Sequence, residues 1–148
     1  MRPVPTTRAQ YRAFSTLTTR WIDNDIYWHM NNAVQYQLFD TAVNGHLLEQ
    51  GALDPRGGAG VFLVVETGCQ YFSELAFPDV ITVGFRVTKL GRSSVHYEVA
   101  LFRNDADIAA AKGHFVHVNV NRETRRPMPI DQSARDVLSA LVVEGAEN

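Results

Sequence analysis

The sequence is short of cysteine, of excess charge and of long apolar runs, and each shortage excludes a class of protein. Its single cysteine, Cys69, rules out an internal disulfide framework and suits a reducing compartment, where a thiol in an apolar strand-like run is expected to be buried and inert. The 14 Lys and Arg against 16 Asp and Glu leave a formal net charge of -2. That is too little positive charge for affinity built on covering a phosphate backbone, so nucleic acid is not an expected partner. The longest apolar run, Val61 to Val65, is far too short to span a bilayer, and "MRPVPTTRAQ" lacks the apolar core of a secretory signal. The expectation is a cytoplasmic protein without a membrane partner. No repeat, low-complexity tract or long linker interrupts the chain, so residues 1–148 are read as one domain, and 45% hydrophobic residues suffice for one core.

What is present gives an order of elements. From about Arg8 to Trp21 the chain is rich in Thr, Phe, Tyr and Trp, which suit a pleated surface and predict a first strand. Tyr36, Phe39, Ala42, Val43, Leu47 and Leu48 then recur at three- and four-residue intervals, with Asn31 or Asn32 to cap the start and Gly51 to end a helix. Leu38 lies outside that stripe, which predicts a helix largely enclosed by other elements. After the turn-rich "GALDPRGGAG", the run "VFLVVETGCQYF" is apolar on both faces in its first half and is expected to be the most buried strand. Ile81, Val83, Phe85 and Val87 alternate with polar neighbours, and Val95, Val99 and Leu101 continue the rhythm after "LGRSS", which predicts a hairpin. A last strand from about Ile108 to Asn121 and a short helix carrying Val137, Leu138, Leu141 and Val142, ended by Gly145, complete the chain.

Short turns between the last strands imply a largely antiparallel sheet with one long helix against its concave face, an α+β class. One sheet and one helix leave strand edges uncovered. A homodimer is therefore the minimal unit expected, with a homotetramer open.

The densest chemistry lies in "RWIDNDIYWHMNN", Arg20 to Asn32. The order Trp21, Asp23, Asp25, His29, Asn31, Asn32, Tyr36, together with "FDTAVNGHL", "VVETGCQYF", "LAFPD", "LGRSS" and "HFVHVNVNRETRRPMPI", resembles the hotdog-fold acyl-CoA thioesterases of the 4-hydroxybenzoyl-CoA thioesterase type. The resemblance covers nearly the whole chain. It implies a hotdog fold, a sheet of about five strands wrapped around one long central helix, and hydrolysis of an acyl-CoA thioester. It also implies Asp25 as the catalytic carboxylate. Thioester hydrolysis needs a nucleophile or a base that activates water, and a carboxylate just upstream of a helix start stands beside N–H groups that can bind an oxyanion near Asn32. His29 is a candidate to orient the carboxylate or the substrate. Against this stands the plain alternative that Asp23, Asn24 and Asp25 build an Asx turn.

Asp23, Asp25 and His29 also have the chemistry of metal ligands. No second histidine stands at helical ligand spacing and the calcium-loop pattern is absent, so neither metal nor cofactor is expected. The resemblance breaks at Trp28, where the common pattern has glycine. The indole either shapes the acyl pocket or packs at a subunit contact. Tyr36, Phe39 and Asp40 lie on the central helix, where the aromatics are read as core that lines the acyl channel. Ser93 and Ser94 are candidates to hold the carrier arm, and Lys89 and Arg92 to meet phosphate, although a polar hairpin turn needs no function. Arg122, Arg125 and Arg126 read first as a solvated basic turn. Two rivals stay open: a hotdog hydroxyacyl dehydratase, whose HFPG-like motif is missing, and a non-catalytic acyl-CoA binding protein.

Overall fold

Apolar alternation and tight turns build one antiparallel sheet from five strands: β1 (Ala13–Thr18), β2 (Gly60–Tyr71), β3 (Val80–Leu90), β4 (Ser94–Arg103) and β5 (Ala111–Asn121). The computed structural model describes residues 4–143. Strand order is β1-β3-β4-β5-β2, with every neighbour antiparallel. The long helix α1 (Asn32–Glu49) lies between β1 and β2 in the chain, and the short α2 (Gln132–Ser139) follows β5. This is the expected hotdog arrangement. Among the described residues, no helix is long and apolar enough to cross a membrane.

The helix starts where Asn31 Oδ1 accepts the Ala33 N–H at 2.9 Å, and Gly51 follows its end at φ 73°, a conformation that glycine adopts without a Cβ penalty. Leu38, Phe39, Ala42, Val43 and Leu47 bury against the concave face, where they meet Val83, Phe85, Val99, Leu101 and Phe115 in one core. Each such Val, Leu or Phe side chain contributes roughly 1.5–3 kcal/mol on burial. Phe39 comes so close to β5 that a Cβ on Gly113 would stand 2.5 Å from its ring. Glycine there is a condition of the helix lying on the sheet.

Several expectations are corrected. The first strand is shorter than Arg8 to Trp21, because 3₁₀ turns at Arg8–Gln10 and Trp21–Asp23 flank it. The second turn forms because the Asp23 carboxylate accepts the Arg20 N–H at 2.7 Å. β2 is an edge strand, paired with β5 alone, and Leu63, Val64 and Val65 are exposed. A run apolar on both faces therefore marks a strand with no second neighbour in this chain. The helix, too, is open on one side, where Asn32, Gln37, Asp40 and Thr41 face out. The last strand begins at Ala111 rather than Ile108, and Ile108 instead bridges Thr7. α2 stops at Ser139, and Val142 leaves it to bridge Val87 on β3. Gly145, expected to end that helix, lies outside the described residues. Cys69 is half-buried on β2, and burial pushes its thiol up to about 11.

Candidate functional site

The residues Asp23 to Asn31 form a closed loop between β1 and α1. Its two ends lie side by side through an antiparallel bridge of Asn24 with Met30, with Asn31 N–H donating to Asp23 O at 2.8 Å and Asp25 N–H to His29 O at 2.7 Å. The loop rests on the segment ahead of β3: Met30 N–H donates to Leu75 O, and Phe77 N–H donates to Asn24 Oδ1.

The two aspartates have separate surroundings. Asp23 is only 2% exposed, and its carboxylate accepts from the Arg20 backbone N–H and from the guanidinium at 3.1 and 2.8 Å. It holds the turn. Asp25 makes an Asx turn with Oδ1, which accepts the N–H of Tyr27 at 2.8 Å and of His29 at 3.2 Å. No hydrogen bond reaches Asp25 Oδ2 from the described residues. The Asx turn and a carboxylate with a free oxygen are thus compatible in one residue.

Asp25 opens on a cavity of about 270 Å³ lined by Trp21, Asn24, Ile26 and Trp28. Trp28 has φ 64°, and its ring meets that of Trp21 edge to face at 5.0 Å. His29 meets Asp25 through its backbone rather than its ring, because Nε2 lies 3.1 Å from Glu74 Oε1. Among the amides at the helix start, Ala33 and Val34 are taken up by Asn31. The Asn32 N–H has no acceptor among the described residues.

The other residues singled out in the sequence lie elsewhere. Tyr36 borders a second, apolar cavity of about 250 Å³ between α1 and β2, with Gln37, Phe39, Asp40, Val64, Thr67 and Phe115. Asp40 is exposed there and accepts from Asn44 Nδ2 at 2.8 Å. Lys89, Arg92, Ser93 and Ser94 sit at the β3–β4 turn, at the other end of β3 from the Asp25 loop, roughly 30 Å away along the strand within one chain. Arg122 is structural, donating to Gly58 O and Asp54 O.

Glu74, Trp21 and Phe77 were not singled out by sequence as parts of the site. Trp21 belongs to the sequence cluster but stands at the end of the expected first strand, while Glu74 carries no signal until the chain folds back. No three His, Cys, Asp or Glu side chains among the described residues gather as a metal site.

Comparison with known proteins agrees with this fold. The PA5185 protein of Pseudomonas aeruginosa is 50% identical, with 97% of this chain and 99% of that one covered and a TM-score of 0.92. The PA2801 protein of the same organism is 26% identical, covering 86% and 98%, with a TM-score of 0.78. A Thermus thermophilus thioesterase whose structure contains coenzyme A and Zn is 28% identical, covering 88% and 94%, with a TM-score of 0.69. No curated protein matches the sequence. Residues 18–140 match the thioesterase-like superfamily, and the chain belongs to it as a hotdog-fold thioester hydrolase.

Proposed function

We propose that the protein hydrolyses the thioester of an acyl-coenzyme A to the free acid and CoA. Asp25 is the reacting carboxylate and the Asn32 N–H polarises the carbonyl. The observation that carries this is the division of labour on Asp25: Oδ1 is fixed by two loop amides and Oδ2 is left unbound beside a cavity. Fixing one oxygen aims the other, which is what positioning asks of a nucleophile or base. As base, Asp25 takes a proton from water as that water adds to the carbonyl carbon; the oxyanion collapses and expels the CoA thiolate. As nucleophile, it displaces the thiolate itself and forms a mixed anhydride that water then cleaves. A coenzyme A carrier is supported by the Thermus thermophilus relative, whose structure contains that molecule.

The working unit is a homodimer in the cytoplasm. β2 offers a long apolar edge with one side unpaired. Antiparallel pairing of two β2 edges across a two-fold axis turns the second copy end for end. The Lys89–Ser94 turn of that copy then lies at the end of the joint sheet where Asp25 stands, although it is remote within one chain. That arrangement gives Ser93, Ser94, Lys89 and Arg92 access to the carrier arm and its phosphates.

Asp25→Asn is the decisive variant, because an amide oxygen can still accept from Tyr27 and His29 and so keeps the loop. We expect CoA release to fall at least about a hundredfold with the fold unchanged, a loss of the size seen when a group acting in the transition state is removed. Wild-type rates in Asp25→Asn across short, branched, aromatic and long acyl-CoAs would sink the assignment.

A further inference from the structure

We propose that Trp21 and Trp28 form the acyl-binding wall of the Asp25 cavity, and that Trp28 limits the site to compact acyl groups, of ring or short-chain form. The inference rests on the reading of Asp25 as the reacting carboxylate.

It begins with the backbone. Trp28 holds φ 64°, a left-handed conformation that is strained for a bulky residue and almost free for glycine. The turn that places Trp28 N–H on Asp25 O at 3.1 Å needs no side chain at position 28. The indole gives little to the core either, since Trp28 is 63% exposed and Trp21 65%. What the strained position does achieve is placement. The Trp28 ring stands edge to face with Trp21 at 5.0 Å, Trp21 stands likewise with Phe77 at 6.2 Å, and the two indoles line the same cavity as Asp25. Perpendicular aromatic faces make an apolar corner, and edge-to-face ring contacts of this kind are favourable beyond the area they bury.

Size sets the class. The hollow is small, about 270 Å³ against the ~300–1,000 Å³ usual for sites that bury drug-sized ligands, and it is open to solvent, so contact with the two indoles rather than enclosure selects the acyl group. A ring or a short chain fits against the corner with its carbonyl at Asp25. A long chain has to run past the indoles, and the added methylenes find no wall.

The test measures thiol release from hexanoyl-, benzoyl- and dodecanoyl-CoA by wild type, Trp28→Gly, Trp21→Ala and Asp25→Asn. Trp28→Gly is suited to it because glycine takes up the left-handed turn freely, so the variant is expected to melt no lower than wild type. Wild type should prefer hexanoyl- and benzoyl-CoA, and Trp28→Gly should move the kcat/KM ratio toward dodecanoyl-CoA by about tenfold or more. Trp21→Ala should move it in the same direction without touching the turn. An unchanged ratio in both variants overturns the proposal. So does a Trp28→Gly protein that falls apart into monomers with its chain-length preference intact, since the indole would then be a subunit contact. Asp25→Asn separates the two failures: full activity there removes the carboxylate assignment, whereas an inactive Asp25→Asn beside an unmoved ratio removes only the indole wall.

Discussion

His29 Nε2 stands 3.1 Å from Glu74 Oε1, while the backbone N–H of the same histidine donates to Asp25 Oδ1 at 3.2 Å. One residue thereby couples the Asp25 loop to the segment ahead of β3. Both side chains are well exposed, so the pair contributes no more than about 1 kcal/mol to stability. Its effect should show in the loop's aim instead. Glu74→Ala is expected to lower kcat/KM about three- to tenfold with an unchanged melting temperature, and the double variant with His29→Ala should be no slower than His29→Ala alone. Additive losses would mean that the two residues act separately.

Asp23 and Asp25 sit two positions apart and are expected to respond to substitution in opposite ways. The Asp23 carboxylate is buried and accepts three hydrogen bonds from Arg20. Asp23→Ala should cost about 1–3 kcal/mol, at the modest end because the Arg20 head remains in water once released. Denaturant unfolding reads this directly, and a stability equal to wild type would contradict the role given to the pair. Asp25→Asn, which keeps its loop bonds, should lose activity with little change in stability.

Most of the fold was legible because its signals are local. Period-3.6 spacing, an asparagine cap and Gly51 place α1, and alternation on either side of "LGRSS" places the β3–β4 hairpin. β2 was misplaced because an apolar run reports burial without saying what does the burying. Among the described residues of one chain nothing covers Leu63, Val64 or Val65. In the candidate site, the family motif is what singles out Asp25. The partners that separate it from Asp23 are not singled out, since Arg20 and Glu74 carry no mark in the sequence of whom they will meet. His29 was singled out for its ring, yet it is its backbone that touches Asp25.

His117 on β5 predicts how the fold responds to acid. It is 1% exposed and ringed by Phe62, Phe115 and Tyr97 at 5.6, 4.9 and 5.4 Å between centroids, with no hydrogen-bond partner for Nδ1 among the described residues. Burial holds its imidazole down at about 4, against an ordinary value of 6.5. Above 6.5 it is neutral folded or unfolded, and its contribution to stability is complete. Between 6.5 and 4 only the unfolded chain takes up the proton, so stability falls as pH falls, by at most about 1.4 kcal/mol per pH unit from this group. Unfolding free energies across this window should be flatter in His117→Phe than in wild type. Identical slopes would show that the histidine is accessible to protons in the folded state.

The edge of β2 supplies the last prediction. Its partner on one side is β5, and on the other it presents unpaired backbone beside the exposed Val64 and Val65. A lysine on such an edge opposes pairing with a second strand, because two like charges would meet across the axis and lose water. Val64→Lys is therefore expected to shift the protein from dimer to monomer in light scattering while far-ultraviolet circular dichroism stays unchanged, since Val64 is not part of the core. Activity should fall with the dimer. In the proposed dimer the Lys89–Ser94 turn of the second copy stands at the Asp25 end of the sheet, so the lost affinity should appear as a raised KM for acyl-CoA. A truncated thioester without the nucleotide should be affected less. A Val64→Lys monomer with wild-type KM for both substrates would place the whole site within one chain and return those turn residues to a structural role.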